Sequence, residues 1–291
     1  MSIRASILRV LLRLCGFKFF LGVLFKKPPH RVFSFWPKWL SKKFPTDWIE
    51  MQHGKMATIS PANSEPVGHV FYLHGGGYVL GFLPMFIRFA NELVAKHNLR
   101  VSLVDYPLAP SADVDGIQQF VFESYCCLRE KYPNDIFHLC GDSAGGALSM
   151  VLLQRLKASN QLMPSKTLLI SPWVDANMAR DFTPWDRLDV LLHRPSLTVA
   201  MDHYRKGRDL SDASLSPIYG DLSEWGDVAV VAGGGELFYP DLCRLKRELN
   251  KVEGTSLLWF EGVGLWHDWL YFDIPEARST RQDIGRWLAS S

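Results

Sequence analysis

The sequence predicts an α/β protein with a mostly parallel central sheet and helices on both faces. Short apolar runs rich in Val, Ile and Leu recur along the chain, which is typical of strands that are covered on both sides. Longer stretches with helical periodicity alternate with these runs, as in right-handed βαβ units. The 291 residues are 47% hydrophobic and 21% charged. This composition excludes a disordered chain or a coiled coil and allows a large core.

The elements of this sheet follow from the chain in order. The apolar runs predict six strands, at residues 69–73, 100–104, 136–140, 167–170, 227–231 and 256–260. The periodic stretches predict helices at residues 85–97, 117–132, 145–158, 241–252 and 275–289. Parallel strands need crossover connections of this length, usually helices. The alternation therefore predicts a doubly wound sheet.

One segment interrupts the alternation. Residues 173–220 contain no predicted strand and only one helical patch, at 197–205. A connection of this length usually covers a functional site. We therefore divide the chain into a core at 46–172 and 221–291, a cap insertion at 173–220 and an N-terminal cap segment at 1–45.

The N-terminal segment differs in charge from the rest of the chain. The first 46 residues hold ten Lys or Arg and no acidic residue, whereas the remainder holds 22 basic and 30 acidic residues. Within residues 1–27 the longest uncharged run is 19–25, too short for a bilayer that needs about 20 residues. The pattern indicates an imperfect amphipathic helix. The sequence favours a lid packed over the body and leaves a peripheral contact of residues 1–27 with an anionic membrane open.

Charge and cysteine usage exclude several classes of protein. The net charge of +2 does not indicate nucleic-acid binding. Five cysteines without a C-x-x-C pair are typical of reduced thiols in a cytoplasmic protein. No H-E-x-x-H motif or cysteine–histidine ligand set is present, so the sequence implies no metal and no organic cofactor.

The strongest motif is Gly141-Asp-Ser-Ala-Gly145, a G-x-S-x-G between a predicted strand and a predicted helix. Small residues on either side of Ser143 let the backbone close a tight strand-to-helix turn. The helix that follows directs its N-terminal amides at developing negative charge. This context predicts that Ser143 is a nucleophile.

A second motif, His74-Gly-Gly-Gly-Tyr78, follows the first predicted strand of the core. Three glycines in succession are expected where the backbone approaches a ligand closely. Such a loop can direct N–H groups at an oxyanion, together with the N–H of Ala144 after the nucleophile. Neither phosphate-binding glycine motif fits these residues, and we expect His74 to be a structural hydrogen-bonding residue.

A serine nucleophile needs a base that is held by an acid. In α/β hydrolases the chain order is Ser, then Asp or Glu, then His. His267 follows the last predicted strand and is the candidate base. Glu236, in the loop after the strand at 227–231, is the favoured acid. Asp241 is the alternative, although it lies where a helix begins and can serve as a cap.

Taken together, these motifs resemble the hormone-sensitive-lipase-like branch of the α/β-hydrolase esterases. The resemblance runs from about residue 68 to residue 267. It rests on the two glycine motifs with Gly81 and Gly146, and on Asp105-Tyr106, Leu108-Ala-Pro110, Ser171-Pro-Trp173 and Ser216-Pro217. It implies a carboxylesterase with a mostly helical cap, oxyanion amides at Gly76, Gly77 and Ala144, Ser143 as nucleophile and His267 as base. The chain departs from the family's D-Y-R-L-A-P-E motif at Pro107 and Ser111.

The sequence therefore predicts a serine carboxylesterase with a Ser143–His267–Glu236 triad. The expected substrates are small, uncharged esters with short or medium acyl chains. A lipase acting at a lipid surface is the alternative enzyme, and a catalytically silent ligand-binding relative is the alternative outside enzymes. The natural substrate, the stereoselectivity and the oligomeric state stay open.

Overall fold

A computed structural model describes residues 1–28, 44–178 and 182–290 of the chain. The predicted segments 1–45, 173–220 and 221–291 each include residues outside this description. The described residues contain one eight-stranded sheet with the strand order β1-β2-β4-β3-β5-β6-β7-β8. Its strands are β1 (Thr46–Met51), β2 (Gly54–Ile59), β3 (His69–Leu73), β4 (Arg100–Asp105), β5 (Phe137–Asp142), β6 (Lys166–Ile170), β7 (Gly226–Gly233) and β8 (Thr255–Gly262).

Nine α-helices are present in the described residues. The described α-helices are α1 (Ile3–Leu14), α2 (Phe17–Lys26), α3 (Pro84–His97), α4 (Val114–Lys131), α5 (Ser143–Ala158), α6 (Thr183–Leu188), α7 (Arg194–Tyr204), α8 (Tyr239–Leu249) and α9 (Pro275–Ala289). Two 3₁₀ turns, Pro217–Tyr219 and Trp269–Tyr271, complete the described helical elements. The predicted α/β architecture is confirmed.

The six strands predicted from apolar runs are β3 to β8, and all of them pair in parallel. All five residues of β3 are buried, as are all five of β6. A strand with buried residues on both faces needs the near-continuous apolar pattern by which it is recognised. The carboxyl ends of β5, β7 and β8 therefore meet at one edge of the sheet, where the candidate site lies.

The hairpin of β1 and β2 was not predicted. It adds to β4 in antiparallel orientation and forms one edge of the sheet. β1 carries two acidic residues and is only half-buried, so it lacks both an apolar run and a clear alternation. The turn contains His53 with a positive φ of 76°, whereas the usual hairpin signal is Asn-Gly or Asp-Gly.

The insertion at 173–220 contains no strand in its described part; it contains α6, α7 and the turn Pro217–Tyr219. Helix α2 packs closely against α7, because a Cβ at Gly22 would lie 2.8 Å from Ser196 Oγ. The two predicted cap segments therefore contact each other.

The basic residues of α1 and α2 contact the body of the protein. Arg4 forms an ion pair with Asp273 at 2.6 Å, and Lys18 forms one with Asp186 at 2.9 Å. Arg13 donates a hydrogen bond to the carbonyl of Leu188 at 3.2 Å. Some of the basic residues of the N-terminal segment therefore hold α1 and α2 against the rest of the protein. No helix of the described residues has both the length and the apolar character needed to cross a bilayer.

Candidate active site

Ser143 lies in a sharp turn between β5 and α5. It is the first residue of α5 and has a φ of 50°, a strained value for a residue other than glycine. The neighbouring glycines make this turn sterically possible. A Cβ at Gly145 would lie 2.1 Å from the carbonyl oxygen of Leu73, and one at Gly141 would lie 2.3 Å from the carbonyl oxygen of Gly145. Gly145 is therefore required by packing against β3, and Gly141 by the close approach of the backbone within the turn.

The glycine loop after β3 packs directly against this turn. A Cβ at Gly75 would lie 2.2 Å from Asp142 Oδ2 and 3.0 Å from Ser143 Cβ. Gly76 and Gly77 have φ values of 110° and 60°, which glycine adopts without penalty. Ala144 follows Ser143 in the first turn of α5, where backbone N–H groups lack partners within the helix. The structure thus brings the glycine loop and the start of α5 together.

His74 and Tyr106 hold the glycine loop in place through hydrogen bonds to its backbone and a stack of their rings. The Tyr106 hydroxyl donates to the His74 carbonyl at 2.6 Å, and the two rings stack with centroids 4.2 Å apart. His74 Nδ1 donates to the Gly75 carbonyl at 2.7 Å. Burial lowers the pKa of His74 to about 4, so its ring is neutral at physiological pH. Tyr106 belongs to the Asp105-Tyr106 pair of the resemblance.

Glu236 and His267 meet at the carboxyl ends of β7 and β8. His267 Nδ1 donates to Glu236 Oε2 at 3.0 Å, and both side chains are buried. The other carboxylate oxygen, Glu236 Oε1, accepts the N–H of Gly233 at 3.1 Å. The ring of Phe238 meets that of His267 edge-on, with centroids 5.1 Å apart. Contacts on two sides thus fix the orientation of the imidazole.

Contacts also connect this pair to the nucleophile turn. The N–H of Trp173 donates to the carbonyl of Ser143 at 2.9 Å. The indole of Trp173 stacks on Phe238 with centroids 5.6 Å apart, and Phe238 in turn contacts His267. The residues predicted as nucleophile, base and acid therefore lie at one edge of the sheet, around a shared aromatic cluster.

Burial controls the protonation of the acid–base pair. It raises the pKa of Glu236 to about 8, against the opposing hydrogen bonds from Ser171 and Gly233. It lowers the pKa of His267 to about 4, against the opposing charge of Asp189. Since the two side chains share a hydrogen bond, they titrate as a pair. Nε2 of His267 accepts no hydrogen bond from the described residues.

Asp241, the alternative acid, lies in the first turn of α8 and is buried. The carboxylate that reaches Nδ1 of His267 belongs to Glu236. The geometry thus places Glu236, the favoured acid, beside the base.

Three further polar residues of the site were not found by sequence reasoning. Asp189 lies between α6 and α7, and its carboxylate accepts the N–H of Leu237 at 2.7 Å. Asp268 Oδ2 lies 3.3 Å from His267 Nε2, and burial raises the pKa of Asp268 well above its ordinary value. Ser171 Oγ accepts the N–H of Asp268 at 3.2 Å. Only Ser171 carried a signal, as the first residue of Ser171-Pro-Trp173.

The residues of the candidate site are almost fully buried. Ser143 is 6% exposed and His267 is 3% exposed. Phe25 of α2 covers the glycine loop, since its ring would lie 3.0 Å from a Cβ at Gly77. Tyr78 stacks on Tyr204 of α7 with ring centroids 3.8 Å apart. Residues of α2 and α7 therefore lie over the glycine loop.

The chain belongs to the α/β-hydrolase fold family, whose profile matches residues 70–271. Within that family, its sequence motifs resemble those of the hormone-sensitive-lipase-like branch.

Relatives and solved structures agree with this family. An esterase from Acinetobacter venetianus is 28% identical over 228 residues, which cover 76% of this chain and 74% of that protein. An acetyl-hydrolase from Streptomyces hygroscopicus is 27% identical and covers 85% of this chain and 83% of its own length. The crystal structure of a hormone-sensitive lipase from a metagenome library superimposes with a TM-score of 0.84 at 19% identity, covering 99% of this chain and 98% of that one. This structural likeness concerns the fold.

Proposed function

We propose that this protein is a carboxylic ester hydrolase that cleaves small esters through Ser143, His267 and Glu236. The observation that carries the proposal is the hydrogen bond of 3.0 Å between His267 Nδ1 and Glu236 Oε2, at the sheet edge where β5 delivers Ser143 in a turn with positive φ. A carboxylate on Nδ1 leaves Nε2 to act as the base, which is the arrangement that activates a serine.

The reaction follows from this arrangement. Ser143 Oγ attacks the ester carbonyl while His267 Nε2 takes the hydroxyl proton, and Glu236 stabilises the resulting imidazolium. The tetrahedral intermediate collapses, His267 returns the proton to the leaving alcohol, and Ser143 keeps the acyl group. Water then attacks the acyl-enzyme by the same route and releases the carboxylic acid.

The oxyanion of each intermediate would bind the backbone N–H groups of Gly76, Gly77 and Ala144. The positive φ values of the two glycines and the position of Ala144 at the start of α5 support this role. Fixed donors of this kind stabilise the transition state without reorganisation, and loss of one typically costs about 10²–10³-fold in kcat.

The surroundings of the triad favour small, uncharged substrates with short or medium acyl chains. Phe25, Trp173 and Phe238 are buried around the site, and Ser143 itself is only 6% exposed. Asp189 is buried near His267, and its negative charge disfavours an anionic ester. The same arrangement favours release of the anionic product.

We further propose that residues 1–45 and 173–220 form a cap over the core at 46–172 and 221–291. The contact of α2 with α7 and the ion pair of Lys18 with Asp186 join the two cap segments, and the ion pair of Arg4 with Asp273 joins α1 to the core. These contacts support the division. Five free thiols support a cytoplasmic location.

A screen of p-nitrophenyl esters from acetate to palmitate tests the proposed activity. We expect hydrolysis of soluble esters with a maximum at short or medium chains. The Ser143→Ala variant should lose about 10⁴-fold in kcat/KM while it keeps the thermal unfolding temperature of the wild type. A folded Ser143→Ala protein with near-normal turnover would exclude the mechanism. A wild type with no turnover on any ester would favour the ligand-binding relative.

A lipase that acts at a lipid surface is the second candidate, and the outer face of α1 supports it. Leu8 and Leu12 pack towards the core, whereas the opposite side of the helix exposes five large apolar side chains: Ile3, Ile7, Val10, Leu11 and Leu14. On α2, Phe19, Phe20 and Val23 are exposed as well, and Lys26 and Lys27 follow on the same side. Apolar residues beside cations are typical of attachment to anionic lipid.

Sedimentation with phosphatidylglycerol vesicles tests this attachment. Binding should fall when salt screens the charges and should be weakened by Leu14→Glu. The matched control is Leu162→Glu, because Leu162 is similarly exposed on the loop after α5. Equal sedimentation of the two variants would exclude a role for this face. A concentration-dependent dimer that Leu14→Glu abolishes would assign the face to a second copy of the chain instead.

A further inference from the structure

Asp189 joins the cap insertion to the loop that carries the acid. One carboxylate oxygen, Oδ1, accepts the N–H groups of Leu191 and Leu192 at 2.8 and 3.2 Å, which closes the turn between α6 and α7. The other oxygen, Oδ2, accepts the N–H of Leu237 at 2.7 Å. Leu237 directly follows Glu236. A single buried side chain thus holds two loops that lie 48 residues apart in the chain.

The acid loop is short and is held on its other side by backbone bonds. Gly235 donates to the carbonyl of Leu265 at 2.7 Å, and Glu236 donates to the carbonyl of Gly233 at 3.0 Å. These bonds fix the residues up to Glu236, and Asp189 fixes the next N–H group. Removal of Asp189 would therefore release the loop at the residue adjacent to the acid.

Asp189 also contributes charge. All three of its hydrogen-bond donors are backbone N–H groups, which favours the ionised carboxylate. Burial opposes this by raising the pKa of Asp189, while His267 and the three N–H groups lower it. In turn, the charge of Asp189 raises the pKa of His267. Two other carboxyl groups face the imidazole, Glu236 at Nδ1 and Asp268 at Nε2, and Asp142 acts electrostatically on Asp268.

We propose that Asp189 is a positioning residue of the reaction, through which the cap insertion holds Glu236 against His267 and stabilises the imidazolium. This inference rests on the proposed triad. It assigns the insertion a part in catalysis, in addition to covering the site. Replacement of the Asp189 carboxylate should then alter both the turnover and the protonation of the acid–base pair.

The test compares Asp189→Asn with Asp175→Asn. Asp175 is a buried carboxylate of the same insertion that accepts the hydroxyl of Tyr219 at 2.9 Å and pairs with Arg244 at 3.2 Å. Both variants keep the side-chain shape and should lose stability. With p-nitrophenyl acetate, Asp189→Asn should lower kcat about 10–100-fold, as expected for a misplaced catalytic group. Asp175→Asn should keep kcat within about 2-fold, because the Asp175 carboxylate bonds to Tyr219 and Arg244 and not to the acid loop.

The pH dependence of kcat/KM distinguishes a positioning role of Asp189 from a role in stability alone. Protonation of the acid–base pair adds positive charge, which the negative Asp189 stabilises. Without that charge the pair loses its proton more easily, so the acid limb of kcat/KM should move to lower pH by roughly one unit. Asp189→Glu keeps the charge, so its limb should stay at the wild-type pH even if its kcat falls. A limb that is unmoved in Asp189→Asn, or moved equally in Asp175→Asn, would overturn the proposal.

A measurement on the wild-type protein keeps the proposal testable if Asp189→Asn does not fold. The amide proton of Leu237 should exchange at least about 100-fold more slowly than an unprotected amide, since it donates to a buried carboxylate. Unprotected exchange at Leu237 would overturn the proposal. The Ser143→Ala variant distinguishes failure of the proposed function from failure of this inference. Activity in Ser143→Ala would overturn the proposed function. An inactive Ser143→Ala together with an Asp189→Asn variant that behaves like the wild type would overturn this inference alone.

Discussion

Phe25→Ala tests whether α2 is part of the working site. Phe25 is 5% exposed, contacts the glycine loop at Gly77 and packs with the cluster that contains Tyr78 and Trp173. Truncation of a buried Phe to Ala typically costs about 3–5 kcal/mol. Because α2 is a surface helix that can partly collapse onto the void, we expect the lower end, about 3 kcal/mol. The space that Phe25 leaves beside Gly77 should also admit longer acyl chains.

The matched control is Phe19→Ala on the same helix, since Phe19 is 77% exposed. Its free energy of unfolding should change by no more than about 0.5 kcal/mol. Urea unfolding measures both stabilities, and kcat/KM on p-nitrophenyl acetate, butyrate and octanoate measures the acyl preference. Phe25→Ala should raise the octanoate-to-acetate ratio, and Phe19→Ala should not. Equal stabilities and equal ratios in the two variants would refute the assignment of α2 to the cap.

Three further predictions concern the triad and its turn. Glu236→Gln should lower kcat by about 10⁴-fold, because it favours the wrong imidazole tautomer. Asp241→Asn should instead cost about 0.3–2 kcal/mol of stability, because it removes a buried negative charge from the first turn of α8. Steady-state kinetics and urea unfolding that gave the reverse would exchange the two roles. Activity should fall at acid pH as the Glu236–His267 pair gains a proton, with an apparent pKa between their values of about 4 and about 8; a rate profile that stays flat from pH 8 to pH 4 would contradict this. Gly145→Ala should abolish folding or activity, because its Cβ would lie 2.1 Å from the Leu73 carbonyl oxygen. The control Gly116→Ala, whose Cβ would have its nearest contact at 3.7 Å, should be neutral or stabilise the protein by up to about 1 kcal/mol. Circular dichroism measures the folding of the two variants, and ester turnover measures their activity.

The sequence was sufficient to predict the parts of the candidate site that depend on local backbone geometry. The turn at Ser143 needs glycines at fixed spacing, and the glycine loop after β3 needs residues without a Cβ, so both motifs are visible in the chain itself. The order of Ser143, Glu236 and His267 follows from the order of parallel strands. The six apolar strands were predictable because burial on both faces requires an apolar sequence.

The remaining features depend on contacts between distant parts of the chain. In the hairpin, β1 is half-buried at the sheet edge and carries two acidic residues, so its sequence shows no clear alternation. β2 is largely buried, but Lys55 and Thr58 interrupt its apolar residues. The bond from Leu237 to Asp189 joins the core to the insertion, and no local pattern identifies such a partner. The sequence also could not predict the partners of the basic N-terminal segment, because Arg4 and Lys18 pair with acidic residues more than 150 positions away.

Covalent trapping of the nucleophile tests the central proposal most directly. The wild-type protein is treated with a p-nitrophenyl alkylphosphonate, digested and analysed by mass spectrometry. The account predicts one stoichiometric adduct, on Ser143, with loss of esterase activity in proportion to labelling, and labelling that is slowed at least about 10³-fold in His267→Ala. An adduct on another residue, or full activity in protein that is fully labelled at Ser143, would contradict it.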